Sequence, residues 1–286
     1  MDVPLRIRHS FARQSGSIVV NNISYTHGLI ELDPHLIDIS KISTGDLFGI
    51  VKHVSKATTR PAPGRTFGFA VWHDDSLLGV MGFSSPVINL GVRDQYLEFP
   101  KDPSEKGYVL KQYLDMSTCV GLQPISWHWN VGKLISMLAT SSKVSSFYKH
   151  QYKDDLKGIT TTSLNGRGAQ YNRVYKFLGY TKGYGHEHIS EEEYKKMIQW
   201  MRENDVEIPS CAFGAGSNPR MRRIAAYNKA NGIKNSMMHG KKRGVYYSPS
   251  TDKSVDEIVQ LWYNRWGKPR YERTKDKQAP YANGLE

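Results

Sequence analysis

Apolar and polar residues alternate along this chain in two registers. The clearest strand pattern is Phe67, Phe69 and Val71 followed by Leu78 and Val80, with the polar run His73-Asp74-Asp75-Ser76 between them. Period-two alternation on both sides of a short polar connection predicts a β-hairpin over 67–83, ended by Pro86. The longest ordered pattern follows, from Tyr113 to Tyr184. Its first strand, 113–124, mixes apolar and small residues between Leu114 and Leu122, as a strand covered on both faces does. Val131, Leu134, Ile135 and Leu138 recur at i, i+3, i+4 and i+7, one apolar stripe of a helix over 130–148. Asn130 is placed to cap it. Lys157 to Leu164 is rich in β-branched residues and reads as a second strand. Val174, Tyr175, Phe177 and Leu178 are the buried positions of a short helix, 169–178, stopped by Gly179. Strand, helix, strand, helix in this order predicts two parallel strands joined by a right-handed crossover.

The flanks are patterned more loosely. Ser17–Val20 and Ile23–Tyr25 suggest short strands, Asp33-Pro34 a turn, and 45–56 a short amphipathic helix. The loop Ala57–Gly64, with two prolines, sits among Lys52, His53, Lys56, Arg60 and Arg65. It reads as a phosphate-contacting lip or as a solvated surface loop. Beyond Gly179, Ser190-x-x-Glu193 is a capping box for a helix carrying Tyr194, Met197, Ile198 and Met201. Val206–Cys211 reads as a strand closing the sheet. Pro219 and Gly232 frame a helix bearing Arg220, Arg222 and Arg223. Ser254-x-x-Glu257 opens a last helix with Ile258, Leu261, Trp262 and Trp266, and the charged end from Tyr271 is expected to fray. The expected fold class is α/β (α+β), a mixed sheet flanked by helices. The expected divisions are 1–45, a core over 46–211, and a basic, helical C-terminal extension over 212–286.

Composition changes this picture in two ways. The 286 residues are 39% hydrophobic, enough for a sizeable core, and carry a net charge of +12. From Ala215 to Glu286 there are 15 Lys and Arg against 6 Asp and Glu, so nine of the twelve surplus charges fall there. An acidic polymer, DNA above all, is the partner such asymmetry implies. Arg220, Arg222, Arg223, Lys241, Lys242 and Arg243 are the candidate phosphate contacts, and Tyr246 stacks on an exposed base or belongs to the core. No stretch reaches membrane-spanning length. Met1–Gln14 lacks the apolar run of a signal peptide. The two cysteines, Cys119 and Cys211, stand 92 positions apart with no Cys-x-x-Cys, so a reducing cytoplasm is expected. His186 and His188 share a face if extended, but no third ligand is evident, so no metal is expected.

Catalytic candidates are sparse. No Ser-His-Asp order and no His-Glu-x-x-His is present. Asp115, on the first central strand, is placed to act as general base toward an amine, with His53 as the alternative. Arg93-Asp94 reads as adjacent strand residues on opposite faces, unpaired with each other, one of them facing the functional side. A salt bridge to a neighbouring element is the other reading. The start of the 130–148 helix, with Gly132 and Lys133, favours an anion.

The Gly132-Lys133-Leu134 helix, the Thr161-Thr162-Ser163-Leu164 strand and the Gln170-Tyr171-Asn172-Arg173 box together resemble the DruA-type domain of the Druantia anti-phage systems. The resemblance spans 65–188 and includes the Gly-rich strand and Arg-Asp pair of 77–97. The element order, with its Leu-Gly-Tyr ending at 178–180, is also similar to the GNAT acetyltransferase fold, of which the phage Mom DNA-modification protein is a distant member. That likeness implies donor binding at the helix mouth, by Asn130, Gly132 and Lys133 with Gln123 and Ser163. It also implies a tyrosine general acid, Tyr171, beside Asn172 and Arg173. Trp127 stands where the acetyltransferase loop has Arg or Gln, a departure from the acyl-CoA pattern that admits instead an amino-acid donor acting, without coenzyme A, on a phosphorylated hydroxymethylpyrimidine in DNA. The function implied is transfer of an acyl or amino-acid-derived group to a nucleobase in DNA. The alternative is a DNA-binding defence component without catalysis.

Overall fold

The structure is a computed structural model describing residues 8–14, 17–24, 30–54, 64–163, 166–186, 191–210, 219–233, 238–277 and 279. The chain divides into two compact units, one of 1–181 with 244–286 and one of 182–243.

In the larger unit the chain opens with an antiparallel pair, β1 (Arg8–Gln14) and β2 (Ser17–Ser24). Next come β3 (Ile37–Ile42), α1 (Thr44–Val54), β4 (Thr66–His73), β5 (Ser76–Ser84), α2 (Gly91–Tyr96), α3 (Pro103–Leu110) and β6 (Tyr113–Gly121). Three short helices follow, α4 (Ile125–Trp129), α5 (Val131–Leu138) and α6 (Ser142–Tyr152). The chain continues through β7 (Gly158–Ser163) and β8 (Lys176–His186), and later β9 (Met238–Pro249), α9 (Val255–Trp262), a π-helical turn (Tyr263–Gly267) and α10 (Lys268–Thr274), these last numbered after α7 and α8 of the second unit. Seven strands form one mixed sheet in the order β3-β4-β5-β6-β7-β9-β8.

The expected hairpin is present as β4 and β5, antiparallel from Thr66↔Ser84 to His73↔Ser76. The two central strands are parallel neighbours, as the crossover pattern required. One face of the sheet carries the main core. There Phe67, Phe69, Phe83, Leu114, Met116, Ile159 and Tyr246 meet Val131, Leu134 and Ile135 of α5 and Ile258 and Trp262 of α9. Ser254 closes a complete capping box at the start of α9, as its spacing required. The opposite face is covered in two patches. Leu47, Ile50 and Val51 of α1 pack on Ala70, Trp72 and Val80. Phe99 and Leu110 pack on Tyr113, with Tyr247 beside them.

Four local expectations are corrected. The single helix expected over 130–148 is two, α5 and α6, parted at 139–141, and a separate helix, α4, precedes them and ends at Asn130, which adopts a left-handed conformation (φ 58°, ψ 42°). Asparagine tolerates that conformation better than other chiral residues, and here its side chain caps nothing. The helix expected over 169–178 is instead a turn leading into β8. The carbonyls of Ala169, Gln170 and Asn172 all turn toward the Lys133 ammonium, and Arg173 has φ 68°, so helical bonding cannot propagate. Arg93 and Asp94 lie on helix α2, not a strand, and pair with each other. Residues 206–210 form no strand. Pro209 has no N–H for a ladder, and the carbonyls of Pro209 and Ser210 accept from Arg223 and Arg222.

In the smaller unit α7 (Glu191–Glu203) and α8 (Pro219–Ala230) pack together, with Trp200 edge-on to Tyr227. Ser190, the 214–218 loop, Cys211, His188 and the 57–63 loop lie outside the described residues. Among the described residues no helix is long and apolar enough to cross a membrane, and no group of His, Cys, Asp and Glu is arranged to hold a metal ion.

Candidate active site where two central strands part

β6 and β7 pair only over Tyr113–Asp115 against Gly158–Thr160. Each then follows its other neighbour. β6 stays with β5 through a register shift that leaves Ser117 unpaired, while β7 stays with β9 as far as Ser163↔Gly244. A bulge adds twist to the strand that carries it, so the two strands diverge beyond Asp115 and Thr160. Alternation puts Asp115 on the same face as Tyr113 and Thr160. Leu114, Met116 and Thr161 lie on the other.

On the first face the Thr160 hydroxyl donates to Asp115 Oδ1 at 3.3 Å. Burial raises the Asp115 carboxyl to about 6, opposed by that hydrogen bond and by the charge of Arg93. Part of the residue nonetheless reaches solvent. A carboxylate perturbed in this way, on a residue that is not wholly covered, is a candidate acid–base group.

Arg93 is fully buried beside it. Its Nε and Nη2 donate to Asp94 Oδ1 at 2.8 and 2.6 Å, and Nη2 also donates to the Ile88 carbonyl at 3.1 Å. The Lys106 ammonium bridges Asp94 Oδ2 at 3.2 Å and Asn89 Oδ1 at 3.0 Å, and the Leu90 amide donates to Asp94 Oδ2. Asp94 thus ties the 88–90 loop to α2 and α3. Around this cluster stand Phe99, under the Arg93 guanidinium at 5.4 Å, and the neighbouring rings of Tyr113, Tyr247 and Tyr96. Lys176 lies 4.3 Å over Tyr96.

The second face is closed. Tyr171 is buried against Tyr175 and Tyr246 and interacts with Thr161, Gln170 and Cys119. Burial pushes its phenol well above the ordinary value. Burial also pushes the Cys119 thiol up to about 12, and that thiol donates to the Gly132 carbonyl at 3.4 Å. Lys133 is turned from the mouth of α5 into the protein. It donates to the carbonyls of Asn172 at 2.7 Å and of Ala169 and Gln170 at 3.2 Å, with Trp266 beneath it at 5.3 Å. Burial, with Arg173 and Arg265 nearby, lowers its ammonium to about 8. The Gln170 side chain lies against Gly132, where a Cβ would come within 2.9 Å of its amide oxygen. This geometry gives no support to a phosphate cradle at Gly132 and Lys133.

The remaining candidates disperse. Gln123 accepts from the Trp127 amide in the first turn of α4. Ser163 ends β7 beside Gly168, and Asn172 and Arg173 are exposed. His53 lies on α1, its side chain outside the described residues. Tyr246 is fully buried, and its hydroxyl accepts from the Gly168 amide at 2.8 Å, so it presents no ring to a base. Arg220 lies 4.1 Å over Tyr194, and Arg222 and Arg223 hold the 209–210 carbonyls. Lys242 is exposed and Arg243 half-buried, while the Lys241 side chain lies outside the described residues.

Asp115 therefore feels the charge of Arg93, and its own charge is felt by Tyr171 and Tyr175, although strand alternation sets Asp115 and Tyr171 on opposite faces of the sheet. Sequence reasoning missed Thr160, Lys106 and Asn89. The Thr160-Thr161-Thr162 run signalled a strand, and only its register assigns Thr160 to Asp115. These features define an α/β protein with a mixed sheet and a largely buried, perturbed carboxylate at the parting of its parallel pair.

Residues 19–259 match the family described as Druantia protein DruA. The chain is 27% identical over 282 residues to the Druantia protein DruA of Escherichia coli (strain UMEA 4076-1), covering 84% of this chain and 69% of that protein. The chain belongs to the DruA family.

Proposed function

We propose that this DruA-family protein serves phage defence by modifying DNA, as a transferase in which Asp115 is the general base. The observation that carries this reading is the Asp115 carboxyl itself, raised to about 6 by burial where β6 and β7 part, in a residue that is not wholly covered. An amine nitrogen attacks the electrophilic carbon of the activated partner. A C–N bond forms, the bond to the leaving phosphate or thiolate breaks, and the amine proton passes to the Asp115 carboxylate. Thr160 holds that carboxylate in place. The hairpin, parted parallel pair and intervening helices support an acetyltransferase-like fold in this reading. The filled space at Gly132 and Lys133 favours an amino-acid donor over coenzyme A. The polymer partner is supported by the basic surplus of the C-terminal region.

The test is mass spectrometry of nucleosides from DNA co-expressed with the protein and with Asp115→Asn. A new nucleoside made by the wild type and lost in the variant is the expected result. Unmodified DNA in both would leave the second reading, a DNA-binding component without catalysis. The closed environment of Tyr171 favours that second reading, because it leaves Asp115 without the expected proton donor opposite.

A further inference from the structure

Arg93 has a nitrogen to spare. Its Nε and Nη2 are engaged by Asp94 and the Ile88 carbonyl, but Nη1 is buried and without a hydrogen-bond partner among the described residues. A buried guanidinium N–H left unpaired is costly and rare in folded proteins, and where one persists a bound group is among the ordinary explanations. The guanidinium is held in place on three sides. Asp94 fixes it from its own helix, Lys106 from α3 braces Asp94, and Phe99 lies beneath it. Its charge is felt by Asp115. A planar donor locked in one orientation, with one unused N–H, suits a carboxylate or phosphate oxygen better than a mobile ammonium does.

We propose that Arg93 Nη1 receives an oxyanion, carboxylate or phosphate, of the small co-substrate whose transfer Asp115 assists. This deepens the reading above and rests on it for Asp115's role alone. Arg93 anchors the co-substrate and Asp115 handles the proton. The 88–90 loop, fastened to Arg93, Asp94 and Lys106, is the wall that fixes the anchor.

The test titrates the full chain with acetate, glycine and inorganic phosphate by calorimetry, alongside Arg93→Lys and Asp115→Asn. Saturable binding of at least one probe to the wild type is expected. Preference for acetate and glycine assigns a carboxylate, and preference for phosphate a phosphoryl group. Arg93→Lys keeps the charge that pairs with Asp94 but loses the third nitrogen, and should bind roughly 10–100-fold more weakly. Asp115→Asn leaves Arg93 intact and removes a neighbouring negative charge, so it should bind the same probe more tightly. The proposal is overturned if no probe binds the wild type, or if Arg93→Lys binds equally well. If Arg93→Lys does not fold, tighter binding by Asp115→Asn supports the site and unchanged or weaker binding overturns it. Nucleoside mass spectrometry separates the two ideas. A modified base with no probe binding defeats the anchor alone, whereas probe binding with unmodified DNA defeats the transferase reading alone.

Discussion

The two faces of the sheet at the parting of β6 and β7 are built from similar materials to different ends. Each has a buried cation and tyrosines. Around Lys133 three carbonyls take three N–H donors and leave no hydrogen-bonding direction over. Around Arg93 one guanidinium nitrogen remains, and the neighbouring carboxyl is strained toward protonation. A satisfied polar cluster specifies structure, while an unsatisfied one holds free energy available to a ligand or a proton. The face expected to hold the donor has its buried cation fully satisfied, and the proposed chemistry is assigned to the other.

Substitutions should separate the faces sharply. The largest effect is expected for Asp115→Asn on the Asp115 face, a loss of about 10²–10⁴-fold in DNA modification rate, the usual worth of a general base. Modification by the variant at the wild-type rate would remove Asp115 from the mechanism. Next, Lys133→Met should cost roughly 3–5 kcal/mol by chemical denaturation, because it strips three buried carbonyls of their shared donor. A cost below about 1 kcal/mol would show that the Lys133 face is not the structural one.

Stability against pH sharpens the contrast. The Asp115 carboxyl titrates near 6 in the folded protein against 3.8 ordinarily, so the folded state holds this proton more tightly. Its contribution to stability is complete below about 3.8 and is lost as pH rises toward 6 and past it. Asp115→Asn should therefore gain about 2–3 kcal/mol over wild type at pH 8 and almost nothing at pH 3.5. Equal curves at both values would mean that the carboxyl is not perturbed. The smallest effect is expected for Tyr246→Phe, about 1 kcal/mol of stability from its lost bond to Gly168, with no change in the salt dependence of DNA binding. A flattened salt slope would place Tyr246 at the DNA after all.

Local pattern was enough for the elements whose residues answer to their immediate neighbours. The period-two runs on either side of His73–Ser76 specified the hairpin, because alternation and a short polar turn leave little else for such a segment to do. The β-branched run at 158–163 specified β7, and Ser254 with Glu257 specified the start of α9. The amino-acid sequence also singled out Arg93 and Asp115. Tertiary structure decided what these residues do. Whether 169–178 is helical depended on Lys133, a residue 36 positions earlier, drawing carbonyls away from helical bonding. Whether Tyr246 stacks on a base or fills the core depended on the face that pairing with β7 gave it. Asp115 and Tyr171 share one neighbourhood in the sequence pattern, yet strand register put the sheet between them. Register and sidedness are set by contacts between segments far apart in the chain, and no local pattern carries that information.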